Sequence, residues 1–320
     1  MKKIKISTLW IPDIKNSLIF KLIEYVSKRE IEIVSIENSD IVIFGPYDTQ
    51  SLKRRLINFA ERKISSIYNI FPNIDLYLLN RKIKPIRIFY SHENFSFPKV
   101  KYDFSITSHF AINNDKHLRF PLWKDLINWG HLGITREKNK FIRRFGDFYN
   151  IKDMTYPQGD AFLNKERKIC LITSHLDEPR KSMYSSISKN FIIDGYGSYF
   201  DKQIKNHNDS KLNKKEILKK YAFNLCPENS LFPGYYTEKV PEAFLSKTLP
   251  ISWMDNNVSF DFNEKSFINL LNYSKDNYLE IIYLLKDDNF LKKFTNEPLL
   301  LREPNLENEI LFVKKIINCI

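Results

Sequence analysis

Residues Tyr221 to Trp253 read YAFNLCPENSLFPGYYTEKVPEAFLSKTLPISW, and the order of apolar and polar types here decides what fold to expect. Phe223, Leu225 and Cys226 form a short apolar strand. The loop after it holds Glu228, Asn229, Gly234, Tyr235, Tyr236, Thr237, Glu238 and Lys239. A helix then begins, with Val240, Ala243 and Phe244 on one face and Pro241 in its first turn, where a missing N–H does no harm. Leu249 to Trp253 is a second short extended segment. Strand, loop, helix and strand in this order belong to an α/β sheet, where ligands bind at loops that leave a strand and enter a helix. Lys239 beside a helix N-terminus suits an anion, because unpaired backbone N–H groups and the helix dipole reinforce its charge. Glu238 next to it suits sugar hydroxyls.

The same alternation runs through the rest of the chain. Ile4 to Leu9, Ile31 to Ile36, Ile41 to Gly45 and Ile86 to Tyr90 read as strands, and Phe104 to Thr107 and Leu118 to Pro121 as short extended pieces. Asp13 to Arg29 has helical periodicity, with Leu18, Ile19, Leu22, Ile23 and Val26 on one face, and Ser51 to Lys63 reads as a basic amphipathic helix. A polar stretch from Lys138 to Lys165 marks the expected boundary, giving domains 1–150 and 151–320. Beyond it come strands at Lys168 to Thr173, Phe191 to Gly195 and Ala222 to Cys226, and helices at Arg180 to Lys189, Lys214 to Tyr221 and Glu238 to Ser246. Glu307 to Ile320 reads as an amphipathic helix closing the second domain, or packing back across both. The pattern predicts mostly parallel sheets covered by helices.

Composition narrows the classes. The chain has 320 residues, 43% of them hydrophobic, enough for one large core or two modest ones. It has no run of 18 apolar residues, so no membrane-spanning helix is expected, and its first residues read as a strand rather than a signal peptide. Cys170, Cys226 and Cys319 are far apart and show no zinc spacing, so a reduced, cytoplasmic setting is expected, with Cys170 and Cys226 as core residues. The formal net charge is +12, with basic runs at Arg136 to Arg144 and Lys211 to Lys220. These read as solvated helix faces or as attraction to an anionic nucleotide-sugar or phospholipid surface; no nucleic-acid motif accompanies them.

The Tyr221–Trp253 stretch resembles the donor-site motif of glycosyltransferase family 10, the α1,3-fucosyltransferases. The resemblance rests on Phe223-Asn224-Leu225-Cys226, Glu228-Asn229, Gly234-Tyr235, Thr237-Glu238-Lys239, Pro250-Ile251 and Trp253. Tyr90-Ser91-His92-Glu93-Asn94 is similar to the family's acidic loop, Lys116 to Leu122 to its YLRxP segment, and Ile172-Thr173-Ser174-His175 with Glu178-Pro179-Arg180 to the start of its donor domain. Tyr236 and the loop Ser230 to Pro233 depart from the bacterial pattern, and the C-terminal heptad repeats and basic tail common in bacterial members do not occur in this sequence.

The resemblance implies a GT-B architecture, two Rossmann-like domains with mostly parallel sheets facing a cleft. It implies an inverting transfer of L-fucose from GDP-fucose to a hydroxyl of an N-acetylglucosamine-containing glycan, in surface polysaccharide or lipopolysaccharide synthesis at the inner face of the membrane. Glu93 would be the general base, Arg180 and Lys239 would face the diphosphate, and Asn229, Tyr235 and Glu238 would bind the rest of the donor. His92, Asn94, Ser174 and His175 sit in matched loops and are candidate substrate contacts. No DxD triplet occurs, so neither a metal nor another cofactor is expected, the two cations taking the place of metal charge. The expected partners are GDP-fucose, a glycan acceptor and, peripherally, an anionic membrane surface. Two rival readings remain: the same fold with a different nucleotide-sugar or acceptor, and a non-catalytic basic module for anionic lipid or nucleic acid.

Overall fold

The computed structural model describes residues 3–9, 11, 13–46, 85–94, 101–110, 114–200, 213–273 and 278–320. The strands of the first sheet are β1 (Ile4–Leu9), β2 (Ile31–Ile33), β3 (Ile41–Phe44), β4 (Ile86–Ser91), β5 (Phe104–Thr107) and β6 (His117–Arg119). Those of the second are β7 (Glu166–Ile172), β8 (Ile193–Tyr196), β9 (Tyr221–Leu225), β10 (Leu249–Ser252) and β11 (Ile268–Asn269). Helices α1 (Leu18–Ser27), α2 (Lys140–Phe145), α3 (Ile151–Thr155), α4 (Arg180–Ile187), α5 (Lys214–Leu218), α6 (Lys239–Leu245) and α7 (Glu307–Ile317) connect or follow them. The sheet orders are β2-β1-β3-β4-β5-β6 and β11-β10-β9-β7-β8. Every neighbouring pair is parallel, as the alternation predicts. In both sheets the second strand lies on one side of the first and the third on the other. Strand order therefore reverses between β1 and β3 and between β7 and β9, and such a reversal opens a crevice at the carboxyl ends of the strands.

Burial follows from this plan. All of β3 and all of β9 are buried, the mark of parallel strands covered on both faces. In the second unit Ile169, Leu171, Phe223, Leu225, Leu249 and Ile251 share one core with Met183 and Ile187 of α4. Cys170 and Cys226 are buried free thiols, and burial pushes the Cys226 thiol up to about 12, consistent with a core role.

Several expected boundaries move for local reasons. The helix expected from Asp13 begins at Leu18, because Asp13 is left-handed (φ 61°), Ile14–Asn16 is a 3-10 turn and Ser17 is extended, its hydroxyl accepting from the Phe20 N–H at 3.3 Å. The strand expected to reach Ile36 stops at Ile33, and Ile36 is buried instead in a 3-10 turn. The polar Lys138–Lys165 stretch is folded: Asn139 Oδ1 accepts from the N–H groups of Phe141 and Ile142, each at 3.1 Å, and Asn150 Oδ1 from that of Lys152 at 2.9 Å, starting α2 and α3. The helix expected at Ser51 to Lys63 lies outside the described residues.

The chain divides into two compact units, one of Met1–Phe120, Leu132–Glu137 and Leu306–Ile320, the other of Pro121–His131 and Lys138–Asn305. These divisions differ from the expected cut after residue 150. α7 groups with the first sheet, because Phe312, Val313 and Ile316 are buried there, the helix packs on α1, and the Phe312 ring meets Phe104 edge-on at 5.7 Å.

Candidate functional site

The strongest polar construction lies in the second unit, at the carboxyl ends of β7 and β9. Gly197, just past β8, holds the close packing there: its φ is +101°, and an added Cβ would fall 2.2 Å from the Thr173 carbonyl oxygen. From β7 the chain runs through Thr173, Ser174 and His175 to α4, whose first residue is Arg180. One Arg180 nitrogen, Nη1, donates to Thr173 Oγ1 at 2.7 Å and to the His175 carbonyl at 2.9 Å. The other, Nη2, donates to Asn229 Oδ1 at 2.9 Å, and Asn229 Nδ2 donates to the Tyr235 hydroxyl at 3.3 Å. Arg180 thus ties the loop after β7 to the loop after β9. Burial lowers the Arg180 pKa, partly countered by Glu228.

Lys239 opens α6 and is ion-paired with Glu228 at 2.6 Å. Glu228 is 1% exposed and also accepts from the Thr237 N–H and hydroxyl, each at 2.8 Å. Lys239 Nζ donates to Thr237 Oγ1 at 2.9 Å and sits 5.9 Å from the centre of the Tyr235 ring. Burial works against the charge on Lys239, but Glu228 and Glu238 outweigh it and raise its pKa. Glu238 turns the other way, toward Arg144 of α2 at 3.2 Å. Burial alone would raise the Glu238 carboxyl, yet Lys239, Lys214 and Arg144 bring it down to about 2. Behind it, Lys214 of α5 and Glu242 of α6 form an ion pair with both side chains buried. A carboxylate that stays ionised here only accepts hydrogen bonds, as ligand hydroxyls require.

Arg180, Asn229, Tyr235, Glu238 and Lys239 are therefore brought together in one unit. Ser174 and His175 belong to the same loop with exposed side chains; its turn uses the His175 backbone, and the Ser174 carbonyl accepts from Ser198 Oγ at 3.4 Å. Glu93, His92 and Asn94 lie in the first unit, just past β4. There the Glu93 N–H donates to Ser91 Oγ at 3.1 Å, fixing the backbone under a half-buried carboxylate. Both His92 ring nitrogens are engaged: Nδ1 lies 3.1 Å from the Phe120 carbonyl and Nε2 2.6 Å from the Tyr90 hydroxyl. A carbonyl only accepts, so Nδ1 carries the proton and Nε2 accepts from Tyr90. Tyr236, which departs from the family pattern, is 1% exposed and donates to Asp255 at 2.5 Å.

Sequence reasoning gave no individual role to Glu228 or Thr173, and it placed Arg144 only at the end of a basic run. Glu228 carried a signal, a carboxylate directly after an apolar strand, where burial demands a cation. Arg144 carried none, being 94 residues from its partner. Among the described residues no group of three or more His, Cys, Asp or Glu could hold a metal ion, and no helix is long and apolar enough to cross a membrane.

Two parallel α/β sheets, each with a reversal of strand order, and an anion-suited crevice on the second define a protein of the GT-B class. Residues 162–296 match the family model described as glycosyltransferase family 10 (fucosyltransferase) C-term. The chain is 25% identical over 305 residues to the alpha-(1,3)-fucosyltransferase FucT of Helicobacter pylori, covering 89% of this chain and 56% of that protein. It is 25% identical over 153 residues to the putative fucosyltransferase R654 of Acanthamoeba polyphaga mimivirus, covering 43% of this chain and 25% of that protein. The chain thus spans about half the length of the first relative and a quarter of the second. Crystal structures of an alpha1,3-fucosyltransferase share the fold. The one with GDP-fucose superposes with a TM-score of 0.65 at 23% identity, covering 98% of this chain and 90% of that one. The one with GDP gives the same score and identity over 99% and 90%.

Proposed function

We propose that this chain is an inverting fucosyltransferase that moves L-fucose from GDP-fucose to a hydroxyl of an N-acetylglucosamine-containing glycan, in α1,3-like linkage. The observation that carries the reading is the Arg180 fork, which joins the loops after β7 and β9 beside the Lys239–Glu228 pair. Arg180 and Lys239 hold the diphosphate, with Arg180 supplying most of the net positive charge because Glu228 already balances Lys239. Glu238 accepts from donor hydroxyls. Glu93 takes the proton of the acceptor hydroxyl as its oxygen bonds to the anomeric carbon; the bond from that carbon to the phosphate oxygen breaks, and GDP leaves with the electron pair. Fixed cations aimed at the departing diphosphate supply the stabilisation that a metal supplies elsewhere, so the reaction runs without one. The relatives' names support the donor and linkage. We place the enzyme in the cytoplasm, at the inner face of the membrane, building surface polysaccharide or lipopolysaccharide.

The test is a melting curve and a donor-hydrolysis screen across GDP-, UDP- and CMP-sugars. GDP should raise the melting temperature, by about 2.7 kcal/mol at 100 times its Kd, and UDP should not. Equal stabilisation by both nucleotides, or by neither, removes the GDP assignment. Turnover of GDP-fucose should survive EDTA; loss that Mn²⁺ or Mg²⁺ restores would refute the metal-free mechanism.

A further inference from the structure

Glu238 is the N-cap residue of α6, yet its side chain accepts no N–H from the helix it starts. Here the carboxylate points instead at Arg144, whose Nη2 donates to Oε1 at 3.2 Å. Arg144 is held firmly by its own element. Gly146, which ends α2 at φ +122°, packs so closely on Asn213 that an added Cβ would lie 2.5 Å from its Nδ2. Asn213 in turn caps α5, accepting from the Glu216 N–H at 2.9 Å, and Lys215 of α5 lies 5.6 Å from the centre of the Phe145 ring. The Arg144 Nε is buried with no hydrogen-bond partner, and the guanidinium lies close to both Glu242 and Glu238, with its hydrogen bond going to Glu238. The Glu238 side chain keeps 10% exposure, and the Arg144 bond occupies one of its two oxygens.

We propose that Arg144 is a positioning residue for the donor nucleotide: by holding Glu238 Oε1 it presents the other oxygen, Oε2, to the ribose hydroxyls of the donor. The proposal rests on the reading of the second-unit crevice as a GDP-sugar site. Planarity suits Arg to the task, since a guanidinium fixes both the position and the plane of a carboxylate, whereas an ammonium fixes position alone.

The experiment titrates GDP and 2′,3′-dideoxy-GDP into the full chain and its Arg144→Gln, Arg144→Lys and Glu238→Gln variants, with melting curves alongside. The wild type should bind GDP at least about 10-fold more tightly than the dideoxy nucleotide, the effect of one charge-assisted hydrogen bond. Arg144→Gln should weaken GDP by about 10-fold and the dideoxy nucleotide by less than about 2-fold, and Arg144→Lys should recover part of the GDP loss. Should Arg144→Gln fail to fold, Arg144→Lys supplies the same comparison, with a smaller selective loss. Equal loss for both nucleotides, or loss for neither, overturns the proposal and leaves Arg144 a structural residue. Failure of the wild type to bind GDP removes the underlying reading instead, and with it the proposal. Wild-type binding of both nucleotides with one affinity removes the ribose contact while leaving the GDP site in place.

Discussion

In the first sheet β1 lies between β2 and β3, and in the second β7 lies between β8 and β9, so the two units place their strand-order reversals identically. The surroundings of the two first strands differ sharply. At β7 and β9 the loops are cross-tied by Arg180, Asn229, Glu228, Thr237 and Lys239, with a buried Lys214–Glu242 pair behind them. Beside β1 there is a cavity of about 840 Å³ lined by Thr8, Asp13, Lys15, Lys21, Arg136 and Glu137, among others. The carboxylates Glu228, Glu238 and Glu242 of the second unit are buried and must be paired in one geometry, whereas the charges lining the cavity are partly or fully exposed and water shares in solvating them. A preorganised crevice suits a ligand whose charge is always the same, such as a diphosphate esterified at both ends. An open, solvated cavity imposes no such selection. The same topology therefore carries one cross-tied crevice and one open cavity.

The largest effect should come from breaking the cross-tied side at Lys239. Lys239→Ala leaves the buried Glu228 carboxylate without its cation and should cost about 3–5 kcal/mol of stability, read by chemical denaturation. Pairing it with Glu228→Gln should restore most of the stability without restoring GDP affinity. Arg180→Ala is the contrast: its partners are loop groups near solvent, so stability should fall by about 1 kcal/mol while GDP binding weakens by 10-fold or more. If both substitutions destabilise equally, the division between structural and ligand-facing cation disappears.

Glu238 sharpens the same point through pH. Its pKa in the folded chain is about 2, below its ordinary 4.5. A depressed carboxyl contributes stability that is complete above its unfolded pKa and is lost as pH falls through the folded one. The contribution at neutral pH is at most about 3 kcal/mol and should vanish between about pH 5 and pH 2. Urea midpoints for wild type and Glu238→Gln should therefore differ at pH 7 and converge on acidification. A gap that stays constant down to pH 2.5 would show that the carboxylate gains nothing from Arg144, Lys214 and Lys239.

Chemistry should separate from binding across the two units. Glu93→Gln should lower kcat by about 100-fold or more while GDP affinity stays near wild type, because Glu93 follows β4 and the residues proposed to hold the nucleotide follow β7 and β9. Normal turnover would remove Glu93 from the mechanism. Loss of GDP affinity with an unchanged melting curve would put it in the donor site.

What could be read in advance follows from the length scale of each interaction. The Tyr221–Trp253 stretch was legible because its strand, loop, helix and strand are contiguous and each has its own periodicity; the helix at Lys239 and the strand at Leu249 lie where they were expected. The amphipathic helix at Glu307 was legible for the same reason, but its partner α1 was not, since a stripe of apolar residues does not say which sheet it covers. Helices α2 and α3 were missed because the Lys138–Lys165 stretch is polar and their Asn caps looked like loop residues. Arg180 and Lys239 were both found as cations, but what separates them is their partners, an exposed Asn229 for Arg180 and a buried Glu228 for Lys239, and no local pattern reports either pairing.

The smallest expected effect tests the open side. Arg136 lines the first-unit cavity and donates to the Asn16 carbonyl at 3.3 Å. Arg136→Ala gives up that bond, worth about 1 kcal/mol or less of stability, and removes one charge from a solvated wall. GDP affinity should stay within about 2-fold of wild type, because every residue proposed to touch the nucleotide belongs to the second unit. Salt supplies the control. Arg136 also carries part of the chain's +12 charge, so a general loss of attraction for an anion would shrink as ionic strength rises, whereas loss of a direct contact would persist. A loss of GDP affinity of 10-fold or more that survives 0.5 M salt would place Arg136 in the nucleotide site. The contrast between a cross-tied crevice and an open cavity would then fail, because both strand-order reversals would serve one ligand.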